Sequence, residues 1–219
     1  AANSNSAVVL LNGSPVDMTA WLDGCGAVLE AWFAGEQGAQ AICEILFGEI
    51  SPSGKLPITF PKTVGQLPLF YSMKPSGRGY GYIENDGAPL YPFGFGLSYT
   101  EFKLDNLECI NLEDSLKIEL TVENIGDFDG AEVIQIYLTG VNCDVVMPLK
   151  ELKAYTRVEI KKGEKAQVCI PVPNEAFCYY DRRMVLGMHN GDYTVSVGTS
   201  CVDIHKTFKI KEKKKKISQ

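Results

Sequence analysis

An excess of basic residues, paired cysteines, histidine clusters and long apolar runs are all missing from this sequence, and each absence removes a class of function. Acidic residues outnumber basic ones, for a formal net charge of −6 over 219 residues, so there is no electrostatic footprint for DNA or RNA. The one basic cluster, Lys211 to Lys216, reads as a solvated chain end. No apolar run approaches the length of a membrane span, and Ala1 to Ser6 has neither the basic nor the apolar region of a secretory leader. The seven cysteines (Cys25, Cys43, Cys109, Cys143, Cys169, Cys178 and Cys201) form an odd set without a CxxC pair or zinc-like spacing. Several stand where an apolar residue would fit, such as Cys169 between Val168 and Ile170, and a free cysteine behaves as a small hydrophobe. The expectation is therefore reduced thiols in a cytoplasmic protein, with no structural metal and no cofactor.

What is present is ordinary globular material, 45% hydrophobic and 22% charged, in an amount that suits two domains. Residues 7 to 60 alternate short apolar runs with helix-like stretches, as pieces of an α/β sheet do. Ala7 to Leu11 reads as a buried parallel strand ended by the turn cluster Asn12-Gly-Ser-Pro15. Val16 to Leu22 reads as a short helix and Ala27 to Trp32 as the next strand. Ala41, Ile42, Ile45 and Leu46 fall at helical spacing in a helix over 35–47 that stops at Gly48. Leu56 to Phe60, with a proline near each end, reads as a short edge strand.

Between Pro61 and Tyr99 there is no sustained period but a high density of rings: Phe70, Tyr71, Tyr80, Tyr82, Tyr91, Phe93, Phe95 and Tyr99. A solvated linker gains nothing from aromatics, so this segment is expected to pack across domain surfaces, with sugar stacking as the sharper alternative. From Glu101 onward the period becomes two. Leu116, Ile118, Leu120 and Val122 share one face; Ile134, Ile136 and Leu138, then Val168, Ile170 and Val172, then Tyr193, Val195 and Val197 repeat the pattern. With turn residues at Asn124-Ile-Gly126, Lys162-Gly163 and Asn190-Gly191, these strands predict an immunoglobulin-like β-sandwich. The fold expected is an α/β segment followed by an all-β sandwich: residues 1–62, a linker over 63–100, the sandwich over 101–211 and a basic tail over 212–219.

Three stretches carry a resemblance. The run from Ala31 to Phe60, AWFAGEQGAQAICEILFGEISPSGKLPITF, resembles the end of the α/β sandwich domain of family 3 glycoside hydrolases. Pro89 to Thr100, PLYPFGFGLSYT, resembles the family's entry into its fibronectin type III-like domain. Pro148 to Tyr155, PLKELKAY, with Gly191 to Gly198, GDYTVSVG, is similar to the family's terminal sandwich. The resemblance covers about residues 7 to 208 and implies the C-terminal part of a β-glucosidase or β-xylosidase; Ser76 to Tyr82 leans towards β-xylosidase or arabinofuranosidase relatives. Its glycines, Gly35, Gly38, Gly48 and Gly54, read as scaffold for tight turns and close approach.

A retaining glycosidase needs two carboxyl groups about 5–5.5 Å apart. The resemblance implies that the nucleophilic aspartate belongs to a (β/α)8 barrel and the acid/base glutamate to the α/β sandwich upstream of these motifs, so no catalytic residue is assigned in this chain. Glu36 is read as a helix-start carboxylate, Glu84 and Asp86 as turn residues, and His189 and His205 as surface histidines without a nucleophile beside them. The partners implied are the barrel, as a domain or a subunit, and an oligosaccharide bound by the complete enzyme. A partial sheet leaves an unpaired edge and an apolar face, which predicts self-association or a partner. A free-standing carbohydrate-binding or adhesion module is the competing reading.

Overall fold

The structure, a computed structural model, describes residues 3, 5–76, 81, 86–112, 115–189 and 191–212. Glu84, Asn190 and most of the Ser76 to Tyr82 and Lys211 to Lys216 stretches lie outside the described residues.

The first part is a small α/β unit. Strands β1 (Ala7–Leu10) and β2 (Ala27–Glu30) pair in parallel, Ala7 opposite Ala27 and Leu10 opposite Glu30. Helix α1 (Gly38–Leu46) follows and ends two residues before Gly48, whose φ of 78° is the left-handed turn-off that glycine adopts without a Cβ clash. The helix expected over Val16 to Leu22 does not form. Asp17 instead accepts the Thr19 amide (3.0 Å) and hydroxyl (2.5 Å), a local turn that competes with helix, and the segment closes only a turn in which the Met18 carbonyl accepts the Trp21 and Leu22 amides, followed by a 3-10 turn at Leu22–Gly24. Met18, 2% exposed, anchors that loop.

The second part is a two-sheet sandwich. Strands β3 (Phe102–Asn111), β4 (Ser115–Asn124), β5 (Gly130–Val141), β6 (Glu151–Ile160), β7 (Lys165–Pro173), β10 (Gly191–Gly198) and β11 (Ile204–Glu212) form sheets ordered β3-β4-β7 and β11-β10-β5-β6, antiparallel throughout. A small hairpin of β8 (Cys178–Tyr180) and β9 (Leu186–Met188) lies beside them. The period-two residues face inward as expected: Ile118, Leu120, Val122, Ile134, Ile136, Ile170, Val172, Tyr193, Val195 and Val197 are all buried in one core. Each such side chain contributes about 1.5–3 kcal/mol relative to exposure, so this core anchors the molecule. At its base Asn124, fully buried, donates to the Phe128 and Ile160 carbonyls at 2.8 and 2.9 Å and accepts the Thr100 hydroxyl at 2.6 Å.

One strand departs from simple alternation. In β5 the inward Ile134, Ile136 and Leu138 are buried, and so are the outward Gln135 and Tyr137. A strand hidden on both faces needs a cover on each. Here the second cover is the aromatic linker.

Candidate functional site: the seam between the α/β unit and the sandwich

The linker lies over the outer face of the four-stranded sheet and ties the α/β unit to it. Tyr71 stacks on Phe93 with centroids 4.0 Å apart and meets Tyr137 edge-on at 6.0 Å. Tyr91 stacks on Phe95 at 5.0 Å, Phe60 meets Tyr91 edge-on, and Trp32 meets Phe60 in the same way. The expected packing across domain surfaces holds for Tyr71, Tyr91, Phe93 and Phe95, whereas Phe70 is 61% exposed; Tyr80 and Tyr82 lie outside the described residues.

Residues 56–60 do not add a strand to a sheet. Leu56 donates to Phe95, Gly94 donates to Leu56, and a single antiparallel bridge joins Phe60 to Tyr91. Pro57 and Pro92 have no amide hydrogen to extend that ladder.

Polar groups fix the register of the seam. The Lys55 ammonium sits 2.8 Å from Glu132 Oε1, with side chains only 14% and 11% exposed, and also donates to the Gly96 carbonyl at 3.1 Å. Glu132 Oε1 further accepts the Val133 amide at 2.7 Å. Gln135 Nε2 donates to the Gly94 carbonyl at 3.2 Å and to the Thr199 carbonyl at 2.5 Å, while its oxygen accepts the Tyr137 hydroxyl. Burial pushes the Tyr137 phenol well above its ordinary range, so it remains a donor. The Ser51 and Ser98 hydroxyls meet at 2.8 Å, Tyr99 donates its hydroxyl to the Ile45 carbonyl at 2.7 Å, and Arg157 Nε donates to Ser53 Oγ at 3.2 Å.

Two glycines make the approach possible. A Cβ on Gly94, at φ 82°, would lie 2.2 Å from Gln135 Oε1, and one on Gly96 would lie 2.2 Å from the Gly54 carbonyl.

The four sequence-named candidates among the described residues are scattered. Glu36 is exposed in the turn before α1. Asp86 pairs with Lys62 at 2.8 Å and accepts the Ala88 amide; the Lys62 hydrogen bond, then that amide, hold its carboxyl below the usual range. His205 lies 3.7 Å from Asp203 Oδ2. His189 corrects the surface expectation: it is 3% exposed, its ring packed on Tyr179 with centroids 4.8 Å apart and its Nε2 3.2 Å from the Val185 carbonyl. It follows directly on the three-residue strand β9, too short for alternation to place it inside. Among the described residues no hydrogen bond or ion pair joins any of these candidates to another, and no group of three or more His, Cys, Asp or Glu side chains is arranged to hold a metal. The seam residues Lys55, Glu132, Gln135 and Arg157 went unnoticed in the sequence. The available clue was a charged residue inside the otherwise apolar β5.

Residues 1–99 match the glycosyl hydrolase family 3 C-terminal domain and residues 132–201 the fibronectin type III-like domain. The chain belongs to family 3 of the glycosyl hydrolases. Among curated relatives of this family 3 chain, a periplasmic beta-glucosidase of Salmonella typhimurium is 38% identical over 87% of the chain and 27% of its own length. A putative beta-xylosidase of Formosa agariphila is 38% identical over 85% of the chain and 25% of its own length. The crystal structure of a beta-glucosidase from Listeria innocua in complex with glucose superposes with a TM-score of 0.86 at 34% identity, covering 94% of the family 3 chain and 31% of that protein. The chain thus spans between a quarter and a third of the length of these relatives.

Proposed function

We propose that this chain is the accessory and structural part of a family 3 glycoside hydrolase that removes sugars from the non-reducing end of β-glucosides or β-xylosides. The observation that carries the reading is the near-complete match of this chain to about a quarter of beta-glucosidases and beta-xylosidases, across both domains. In this reading hydrolysis belongs to carboxylates on a (β/α)8 barrel and on the upstream part of the α/β sandwich. The seam's role is to hold the α/β unit rigidly on the sandwich, so that the loops at the carboxyl ends of β1 and β2 are presented in a fixed geometry.

The α/β unit also has the surface of something that is covered in use. Leu11, Phe33 and Phe47 are 64%, 83% and 82% exposed, and β1 and β2 each have one neighbour among the described strands. Patches of this kind mark contact surfaces. The remainder of the enzyme is the occupant proposed, with self-association the outcome when it is absent. A free-standing carbohydrate-binding module would need its rings turned outward, whereas Tyr71, Phe93, Tyr91 and Phe95 are spent on one another.

The intact mass of the native protein, measured with its co-purifying partners, tests the proposal. Expected is a product that includes a barrel, in the same polypeptide or as a bound subunit. A native product of this chain alone, monodisperse and without a partner, would refute it.

A further inference from the structure

The loop after β2 sends two neighbouring rings in opposite directions. Glu30 Oε1 accepts the Trp32 amide at 3.0 Å, and Trp32 takes φ 50°, a left-handed conformation rare for so large a side chain and kept only where the surrounding structure enforces it. Trp32 meets the buried Phe60 edge-on, 6.1 Å between centroids, while Phe33 stays 83% exposed. That exposed ring is nevertheless seated. It lies across Gly13 in the loop after β1, so close that a Cβ on Gly13 would fall 2.8 Å from Phe33 Cε2 and 3.0 Å from its Cζ. Asn12 Nδ2, donating to the Ser14 carbonyl at 2.7 Å, closes the turn around Gly13. A large apolar ring left in water adds nothing to the core of this chain, and one already held in place loses little freedom when a partner covers it.

We propose that Phe33 is the anchor by which this chain docks onto the remainder of the enzyme, its ring entering an apolar pocket on the barrel side. The inference rests on the reading that hydrolysis uses one carboxylate of a barrel and one of the upstream α/β sandwich. Two carboxyl groups that flank one glycosidic bond stand about 5–5.5 Å apart, so the barrel has to meet the α/β sandwich at the edge where that sandwich binds ligands. In an open α/β sheet this is the edge at the carboxyl ends of the strands. Strands β1 and β2 are parallel, so the loops that follow them, and with them Gly13 and Phe33, lie at that edge. Residues 1–99 match the family's C-terminal domain, so the unmatched length of the relatives precedes the α/β unit and joins there, not at the far end of the sandwich. Leu11, 64% exposed and two residues before Gly13, gives the anchor an apolar rim.

The test is surface plasmon resonance with the full chain in solution and, immobilised, the barrel with the upstream part of the α/β sandwich from the Listeria innocua beta-glucosidase. Wild type is expected to bind, and Phe33→Ala to bind about 30-fold more weakly, with an unchanged melting temperature because the side chain is exposed. Phe47→Ala removes an equally exposed ring at the other end of α1 and should change affinity by less than about threefold. Gly13→Ala separates a fixed anchor from a merely apolar surface: the added methyl drives the ring from its seat, so binding weakens by about tenfold although apolar area is gained. Wild-type binding that Phe33→Ala or Gly13→Ala leaves unchanged, or that Phe47→Ala weakens as much as Phe33→Ala does, would overturn the anchor alone. No binding by wild type would overturn the anchor and the wider reading together, with a second copy as the occupant if the chain dimerises and Phe33→Ala abolishes the dimer.

Discussion

Replacing Lys55 with alanine strips the countercharge from Glu132 at the centre of the seam and leaves the Gly96 carbonyl without its donor. Breaking a buried pair by removing one partner costs about 3–5 kcal/mol, because the remaining charge stays desolvated. The side chains retain 14% and 11% exposure, and Glu132 keeps the Val133 amide, so the lower end applies, about 3 kcal/mol. For a chain of this size each kcal/mol moves the melting temperature by roughly 2–4 °C, which gives a fall of about 6–12 °C by differential scanning calorimetry. Removing both charges, as Lys55→Met with Glu132→Leu, takes away the penalty along with the pair, and this double variant is expected to melt above either single variant. A Lys55→Ala protein melting within about 2 °C of wild type, or a double variant as unstable as the sum of the singles, would refute the assignment of the pair as the polar clamp of the seam.

Gly94→Ala should cost about 2–5 kcal/mol, combining the left-handed backbone penalty with the clash on Gln135, whereas Gly163→Ala, at φ 74° in open space, should cost only about 1–2 kcal/mol; urea denaturation of the two side by side separates steric from backbone effects. Asn124→Ala leaves the Phe128 and Ile160 carbonyls without their donor and should destabilise the sandwich by about 2–4 kcal/mol, read as a lower urea midpoint at unchanged slope. Alkylation of the native chain should modify the exposed Cys43 and Cys169 before Cys201, which is buried and whose thiol burial pushes up; mass spectrometry of timed samples showing Cys201 among the first would contradict that packing.

The sandwich was legible in the sequence because its strands have one face in the core and one outside, so that Leu116, Ile118, Leu120 and Val122 spell the period directly. Helix α1 was legible from the helical spacing of Ala41, Ile42, Ile45 and Leu46, with Gly48 marking its end, although of its residues only Gly38 is buried. Two expectations failed where local chemistry outweighed pattern: Asp17 captured Thr19 and stopped a helix over Val16 to Leu22, and Pro57 kept residues 56–60 from forming more than one bridge. The clamp was hidden for a different reason. Lys55 and Glu132 are far apart in the chain, and the partner of a lone charge in an apolar strand cannot be read from either residue's neighbours. His189 directly follows the small β8–β9 hairpin, where three-residue strands are too short to show which face is inside.

The most direct test of the central claim is hydrolysis of p-nitrophenyl β-glucoside and β-xyloside by the purified chain, alone and after recombination with a family 3 barrel that has the upstream part of the α/β sandwich. The account expects no release of p-nitrophenol by the chain alone, and turnover on one of the two substrates once the parts are combined. Turnover by the chain alone would contradict the account. So would a combined complex, bound and folded, that hydrolyses neither.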